Sequence, residues 1–328
     1  MPSPRITSPD DPALAQLCER LAELATELDK SGAWTAAGLQ LCGEYGVFEG
    51  FIDPHFGGKA WDDEAVARGY RALSAACRTT TFIITQRTGA CRRIAGSENQ
   101  PLAAELLPDL ASGGAFATVG ISHLTTSRRH LKRPVLTAKR TVGGFRLDGY
   151  SPWVTGGRHA QHIVVGASMV ERDEPTGEQI LIVVPTHLVG IEFPPAVELI
   201  GVSASDTGPA KFNNVEIPDD RLLAGPMENV MASGIGASTG GYETSTLALG
   251  LAGAAIQFLK DQATQRDELA PPAAAMYAEH AELVDDLLSV ARGTPACSTE
   301  SLRQRANSLA LRASQAALAA AKGTGYVV

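Results

Sequence analysis

Gly149-Tyr150-Ser151-Pro152-Trp153-Val154-Thr155-Gly156-Gly157 opens a run of β-type segments that closes with Phe212-Asn213-Asn214-Val215-Glu216-Ile217-Pro218. Around it, Val135-Leu136-Thr137, Phe145-Arg146-Leu147, Ile163-Val164-Val165-Gly166 and Ile180-Leu181-Ile182-Val183-Val184 are short β-branched or aromatic stretches bounded by Gly, Pro and Asp. Such side chains suit a pleated surface, and the turn residues end each stretch, so they read as strands of a small barrel or sandwich. Glu174-Pro175-Thr176-Gly177 reads as a hairpin turn between two of them.

Outward from this insert the period changes to that of helices. On the N-terminal side Leu14, Leu17, Leu21 and Leu24 recur at helical spacing, and a second amphipathic run starts near Ala33. Pro54 and Gly57-Gly58 punctuate a loop, Asp62-Asp63-Glu64 place carboxylates in the first turn of a helix reaching about Ala76, and a further helix is predicted across Ile83 to Ala95. Beyond Pro226, helices are predicted at about Thr244–Gln265, Pro272–Arg292 and Ser298–Lys322. The expected class is α+β, with a helical domain at 1–114, a β-barrel domain at 115–224 and a helical bundle at 225–328. The last stops soon after Gly323-Thr324-Gly325-Tyr326, where a bundle would turn back, so it is expected to be incomplete.

Composition narrows the function. A net charge of −8 with 20% charged residues gives no global attraction for nucleic acid or an anionic membrane. Cys18, Cys42, Cys77, Cys91 and Cys297 are odd in number and lack C-x-x-C spacing, which predicts reduced thiols rather than a disulfide framework or zinc site. The longest apolar run, Leu247 to Ile256, is too short to span a bilayer, and a soluble cytoplasmic protein is expected. Against the negative total, segment 128–140 carries six Lys or Arg residues. Arg128 and Arg129 there are candidate phosphate contacts, with a solvated sheet edge as the structural alternative.

In this order the elements resemble the acyl-CoA dehydrogenase superfamily, over most of the chain. Pro54-His55-Phe56-Gly57-Gly58 is similar to its Pro-x-aromatic-Gly-Gly loop, Trp153-Val154-Thr155 to its Trp-Ile-Thr flavin motif, and Ser205-Asp206-Thr207 with Phe212–Pro218 to the closing barrel segment. Gly250 and Arg266 keep the family spacing along the first bundle helix, and Gly323–Tyr326 resembles its Gly-Gly-x-Gly-Tyr turn. The resemblance implies FAD, with Trp153 packing beside the isoalloxazine and Thr155 bonding its edge. It implies flavin contacts from Phe116, Thr118 and Ser122, and substrate contacts from Thr125 and Ser205. Arg266 would reach the pyrophosphate of a neighbouring subunit, as a bidentate cation suits phosphate oxygens, so a homodimer or homotetramer is expected. The implied substrate is a small acyl thioester on coenzyme A or a carrier protein, and the electron acceptor, flavoprotein or oxygen, stays open.

Two departures bear on the chemistry. The family's Thr-Glu-Pro and Gly-Ser-Asp stretch corresponds here to Val119-Gly120-Ile121-Ser122-His123-Leu124-Thr125-Thr126. Acyl-CoA dehydrogenation also needs a carboxylate for the α-proton while flavin accepts the β-hydride. One family position for that Glu falls beyond Val328 and the other at about Gly240, leaving Glu243, one turn further on, as the candidate base. A flavin monooxygenase of the same fold needs no such carboxylate and is the alternative, followed by a noncatalytic or partner-dependent homologue. Gly236-Ala237-Ser238-Thr239-Gly240 fits a nucleophile elbow, but no strand precedes it and His280 comes before Asp285, so a serine hydrolase is disfavoured.

Overall fold

The chain folds as a mixed α+β molecule in a computed structural model that describes residues 4–125, 133–232 and 242–326. Helices α1 (Pro12–Ser31), α2 (Ala36–Glu44), α3 (Asp63–Ala76), α4 (Arg78–Ala95) and α5 (Gln100–Ser112) precede strand β1 (Ala117–Gly120) and the one-turn α6 (Ser122–Thr125). Strands β2 (Leu136–Thr141), β3 (Gly144–Thr155), β4 (His162–Glu171), β5 (Glu174–Pro185), β6 (Ile191–Glu192), β7 (Thr207–Pro218) and β8 (Leu222–Glu228) follow. Helices α7 (Glu243–Ala263), α8 (Ala270–Ala291) and α9 (Thr299–Ala320) come last. Helical N- and C-terminal regions therefore flank a central sheet, as expected.

Local chemistry explains the helix starts. Asp11 accepts a hydrogen bond from the Ala13 amide at 2.9 Å with Pro12 at the first helical position, and Asp62 caps α3 through the Ala65 amide at 2.8 Å. Helix α4 begins five residues before the predicted Ile83, so Thr79, Thr80 and Thr81, β-branched and weak helix formers, lie in its first turn. Thr81 is accommodated by returning its hydroxyl to the Cys77 carbonyl at 2.9 Å. The run predicted from Ala33 starts at Ala36 instead, since Gly32 takes a left-handed conformation that ends α1 and the chain needs Ala33 to Thr35 to re-enter a helix.

The strands form one sheet in the order β6-β7-β3-β2-β4-β5-β8, with β1 pairing β4 in parallel. Along β5, Ile180, Ile182 and Val184 join the core on one face of the sheet, while Leu181 and Val183 join the core that α4 and α5 press onto the other. Ile163 and Val165 of β4 divide from Val164 in the same way. Two buried faces are why Ile180–Val184 is continuously apolar rather than alternating. The β4–β5 hairpin corrects the predicted turn: Arg172 and Asp173 form it, both at positive φ (52° and 69°), while Glu174–Gly177 lies in β5. Asp tolerates that region and the two-residue turn matches strand twist, whereas Pro175 and Gly177 only mimic a turn signal.

Helix α7 seats the C-terminal helices against the N-terminal ones. An added Cβ on Gly250 would lie 2.5 Å from Ser74 Cβ and 2.7 Å from the Arg71 carbonyl oxygen, so the α3–α7 approach requires glycine. Ser74 Oγ donates to the Leu247 carbonyl across the same contact at 2.9 Å.

Candidate functional site

Thr155 ends β3 and is paired in register with Thr207, the first residue of β7. Both are buried, and Thr207 Oγ1 donates to Thr155 Oγ1 at 3.0 Å, with Ser205 Oγ 2.7 Å behind Thr207 Oγ1. The chain turns sharply at Gly156 (φ +62°), where a Cβ would meet the Trp34 ring at 2.5 Å. Trp153, two residues earlier on β3, is 42% exposed despite its size.

Thr155, Thr207 and Trp153 line a cavity of about 450 Å³ between α4, the β1–α6 corner, the β3–β7 end and the start of α7. Such a volume belongs to the small-molecule class of roughly 300–1,000 Å³. Phe82, Thr125, Thr244 and Leu247 also line an adjoining groove of about 1010 Å³ between α4, α7 and α9, so the site is elongated.

Charge enters this mostly apolar cavity from three side chains. Glu243, in the first turn of α7, is the carboxylate among the described lining residues. Its Oε1 lies 3.8 Å from Arg92 Nη1, and Arg92 Nη2 donates to Asp63 Oδ1 at 2.6 Å. Arg93 donates from Nη1 to the Gly89 carbonyl at 2.8 Å; burial pushes its pKa down to about 10 against the opposing pull of Glu243, so it stays cationic at neutral pH. Neither arginine is conspicuous in the sequence, because Arg-Arg in the last turn of a helix reads as a pair of dipole partners. An adjacent pair on a helix otherwise rich in buried positions is the signal that would have marked them.

Of the residues singled out from sequence, Ser122, Thr125, Trp153, Thr155 and Glu243 meet at this cavity. Phe116 does not: its ring packs edge-on against Trp34 at 5.8 Å, and its amide and carbonyl are used by Gln161 at 2.7 and 2.9 Å. Thr118 is fully buried away from the lining and its hydroxyl has no hydrogen-bond partner. Ser205 is fully buried behind Thr207, so a direct substrate contact is corrected to an indirect position. Arg266 lies past the far end of α7 from Glu243, about 30 Å along the helix at 1.5 Å per residue, with Nη2 held by Gln262 and the Ala320 carbonyl. Arg128, Arg129, Gly240 and the Gly236–Gly240 elbow lie outside the described residues.

The walls suit the planar cofactor expected from sequence. Trp153 and Val119 offer apolar contact, while Thr155 supplies a hydroxyl at the rim and Ser122 Oγ is a buried polar atom without a protein partner. A ring with apolar faces and hydrogen-bonding edges answers both.

No family model matches the chain. It is similar to a probable acyl-CoA dehydrogenase of Bacillus subtilis (strain 168), at 23% identity over 278 residues, covering 83% of this chain and 72% of that protein. It is also similar to the short-chain specific mitochondrial acyl-CoA dehydrogenase of Bos taurus, at 23% identity over 286 residues, covering 84% of this chain and 68% of that protein. Among solved structures, butyryl-CoA dehydrogenase from Megasphaera elsdenii superposes with a TM-score of 0.83 at 16% identity, over 96% of this chain and 88% of that one.

Proposed function

Because the chain resembles the acyl-CoA dehydrogenase superfamily in sequence and shares its fold, we propose that it is an FAD-dependent oxidoreductase acting on the CH–CH group of an acyl thioester. The observation that carries the reading is the meeting of Trp153 and Thr155 with the Glu243 carboxylate in one cavity. Bound beside Trp153 and Thr155, FAD supplies the acceptor for a hydride from the substrate β-carbon. Glu243 removes the α-proton, which becomes acidic next to a thioester carbonyl. Arg92 and Arg93 hold that carboxylate in place and keep charge density around it, while the groove between α4, α7 and α9 takes the long arm of coenzyme A or a carrier protein. Arg266 serves the cofactor of a second subunit in a homo-oligomer.

The test is the visible spectrum of the purified protein before and after anaerobic addition of acyl-CoAs of graded length. Bleaching by one of them is expected, and Glu243→Gln is expected to retain flavin while slowing bleaching by at least about 100-fold, the scale of a lost general base. A folded protein that holds no flavin would sink the reading.

The Glu243–Arg92 ion pair favours a second reading, in which the carboxylate is a counterion and the site activates oxygen. Flavin would then stay coloured with every thioester, and Glu243→Gln would leave substrate-dependent oxygen uptake by the pre-reduced protein unchanged.

A further inference from the structure

Three hydroxyls run from the protein interior to the cavity wall: Ser205 Oγ to Thr207 Oγ1 at 2.7 Å, and Thr207 Oγ1 to Thr155 Oγ1 at 3.0 Å. All three residues are buried, Ser205 completely, and of the three only Thr207 and Thr155 line the cavity. A hydroxyl has one proton and two acceptor sites, so the direction of each bond can be worked out. Thr207 is the donor to Thr155, as the angles at the two oxygens allow that direction. Its one proton being spent there, Thr207 meets Ser205 as an acceptor and Ser205 is the donor. The opposite sense would also leave the Ser205 proton buried with no recorded acceptor, which costs the full desolvation of that donor. The Thr155 hydroxyl, last in the chain, accepts from Thr207 and so keeps its own proton for an acceptor in the cavity it lines.

We infer that Ser205 and Thr207 are positioning residues that lock Thr155 as a hydrogen-bond donor toward the bound ring and so favour its oxidised form. The inference rests on the flavin reading above. The edge nitrogen of an oxidised flavin accepts a hydrogen bond, whereas the same nitrogen in the reduced ring carries a proton and donates. A locked donor serves the first and opposes the second, which lowers the reduction potential of the bound cofactor. Buried, mutually polarised hydroxyls hold this direction better than a lone threonine would, because reversing one requires reversing its neighbours.

Reduction potentials of the flavin-loaded protein, measured by dye equilibration, test the inference. Thr207→Val removes the donor to Thr155 at constant shape and is expected to raise the potential by about 30 mV, equivalent to a tenfold change in relative affinity for oxidised and reduced ring in a two-electron couple. Thr207→Ser restores the hydroxyl and should return the potential to the wild-type value. Ser205→Ala releases the Thr207 proton without removing it and should fall between the two. Since Val and Ala lose a buried polar atom without gaining bulk, melting temperatures are measured alongside. Flavin-loaded variants whose potentials are all equal, or in which Thr207→Ser behaves like Thr207→Val, would overturn the relay while leaving the flavin reading intact. A wild-type protein that takes up no flavin overturns both, and is recognised by that alone.

Discussion

Trp153 is the residue at which stability and binding separate most cleanly. An indole that leaves 42% of its surface exposed contributes little to the sheet core, and it lines the cavity. Trp153→Ala is therefore expected to shift the thermal midpoint by less than about 3 °C, on the order of an ordinary surface substitution, while weakening flavin retention by roughly an order of magnitude. Gel filtration followed by the ratio of visible to ultraviolet absorbance checks this; full occupancy after passage would show that the ring does not bind there. Trp153 and Thr155 could be singled out in the sequence because Trp153-Val154-Thr155 resembles a short family motif, and both line the cavity. Arg92 and Arg93 could not, since what brings them to the cavity with Glu243 is a contact about 150 residues away, and their immediate surroundings fit an ordinary helix end.

At the scale of elements, the α3–α7 contact is the point of least tolerance. A methyl group on Gly250 meets backbone at 2.7 Å as well as Ser74 Cβ at 2.5 Å, so relief requires the helices to part. Overpacking of that kind costs roughly 1–3 kcal/mol. The gain in helix propensity from Gly to Ala, about 1 kcal/mol, offsets only part of it. Gly250→Ala is expected to lower the urea midpoint without changing the slope; an unchanged or higher midpoint would mean the helices are not held at this distance. Helices α7 to α9 lie within one or two residues of the ends expected for them, because their alanine- and leucine-rich runs are long, and Ser298 caps the start of α9. Shorter signals misled: three threonines concealed the start of α4, and Pro175 with Gly177 outweighed the less emphatic Arg172-Asp173 that makes the turn.

Across the whole molecule, histidine burial sets the response to acid. His123, His159, His162 and His280 each have a pKa lowered from the ordinary 6.5, in every case chiefly by burial. In the unfolded chain these groups titrate at their ordinary value, so below about pH 6.5 the unfolded state binds more protons and stability falls with pH; above that value the contribution is fully present. A melting temperature lower at about pH 5.5 than at about pH 8 is expected, and a flat or opposite trend would refute it. The α–β–α order was legible from changes of texture along the chain. Which helices face the sheet was not, because that is decided by contacts between residues far apart in sequence.

Ile163–Val165 of β4 and Ile180–Val184 of β5 lie between two cores, with successive side chains committed to opposite ones. Along these buried stretches an exchange of residue has no outward-facing position to occupy, so neutral drift there is confined to swaps that conserve volume on one side or the other. Diversification of such a scaffold has to come from its rims and helix ends, where the cavity is also assembled, and substrate preference can change there with the middle of the sheet left alone.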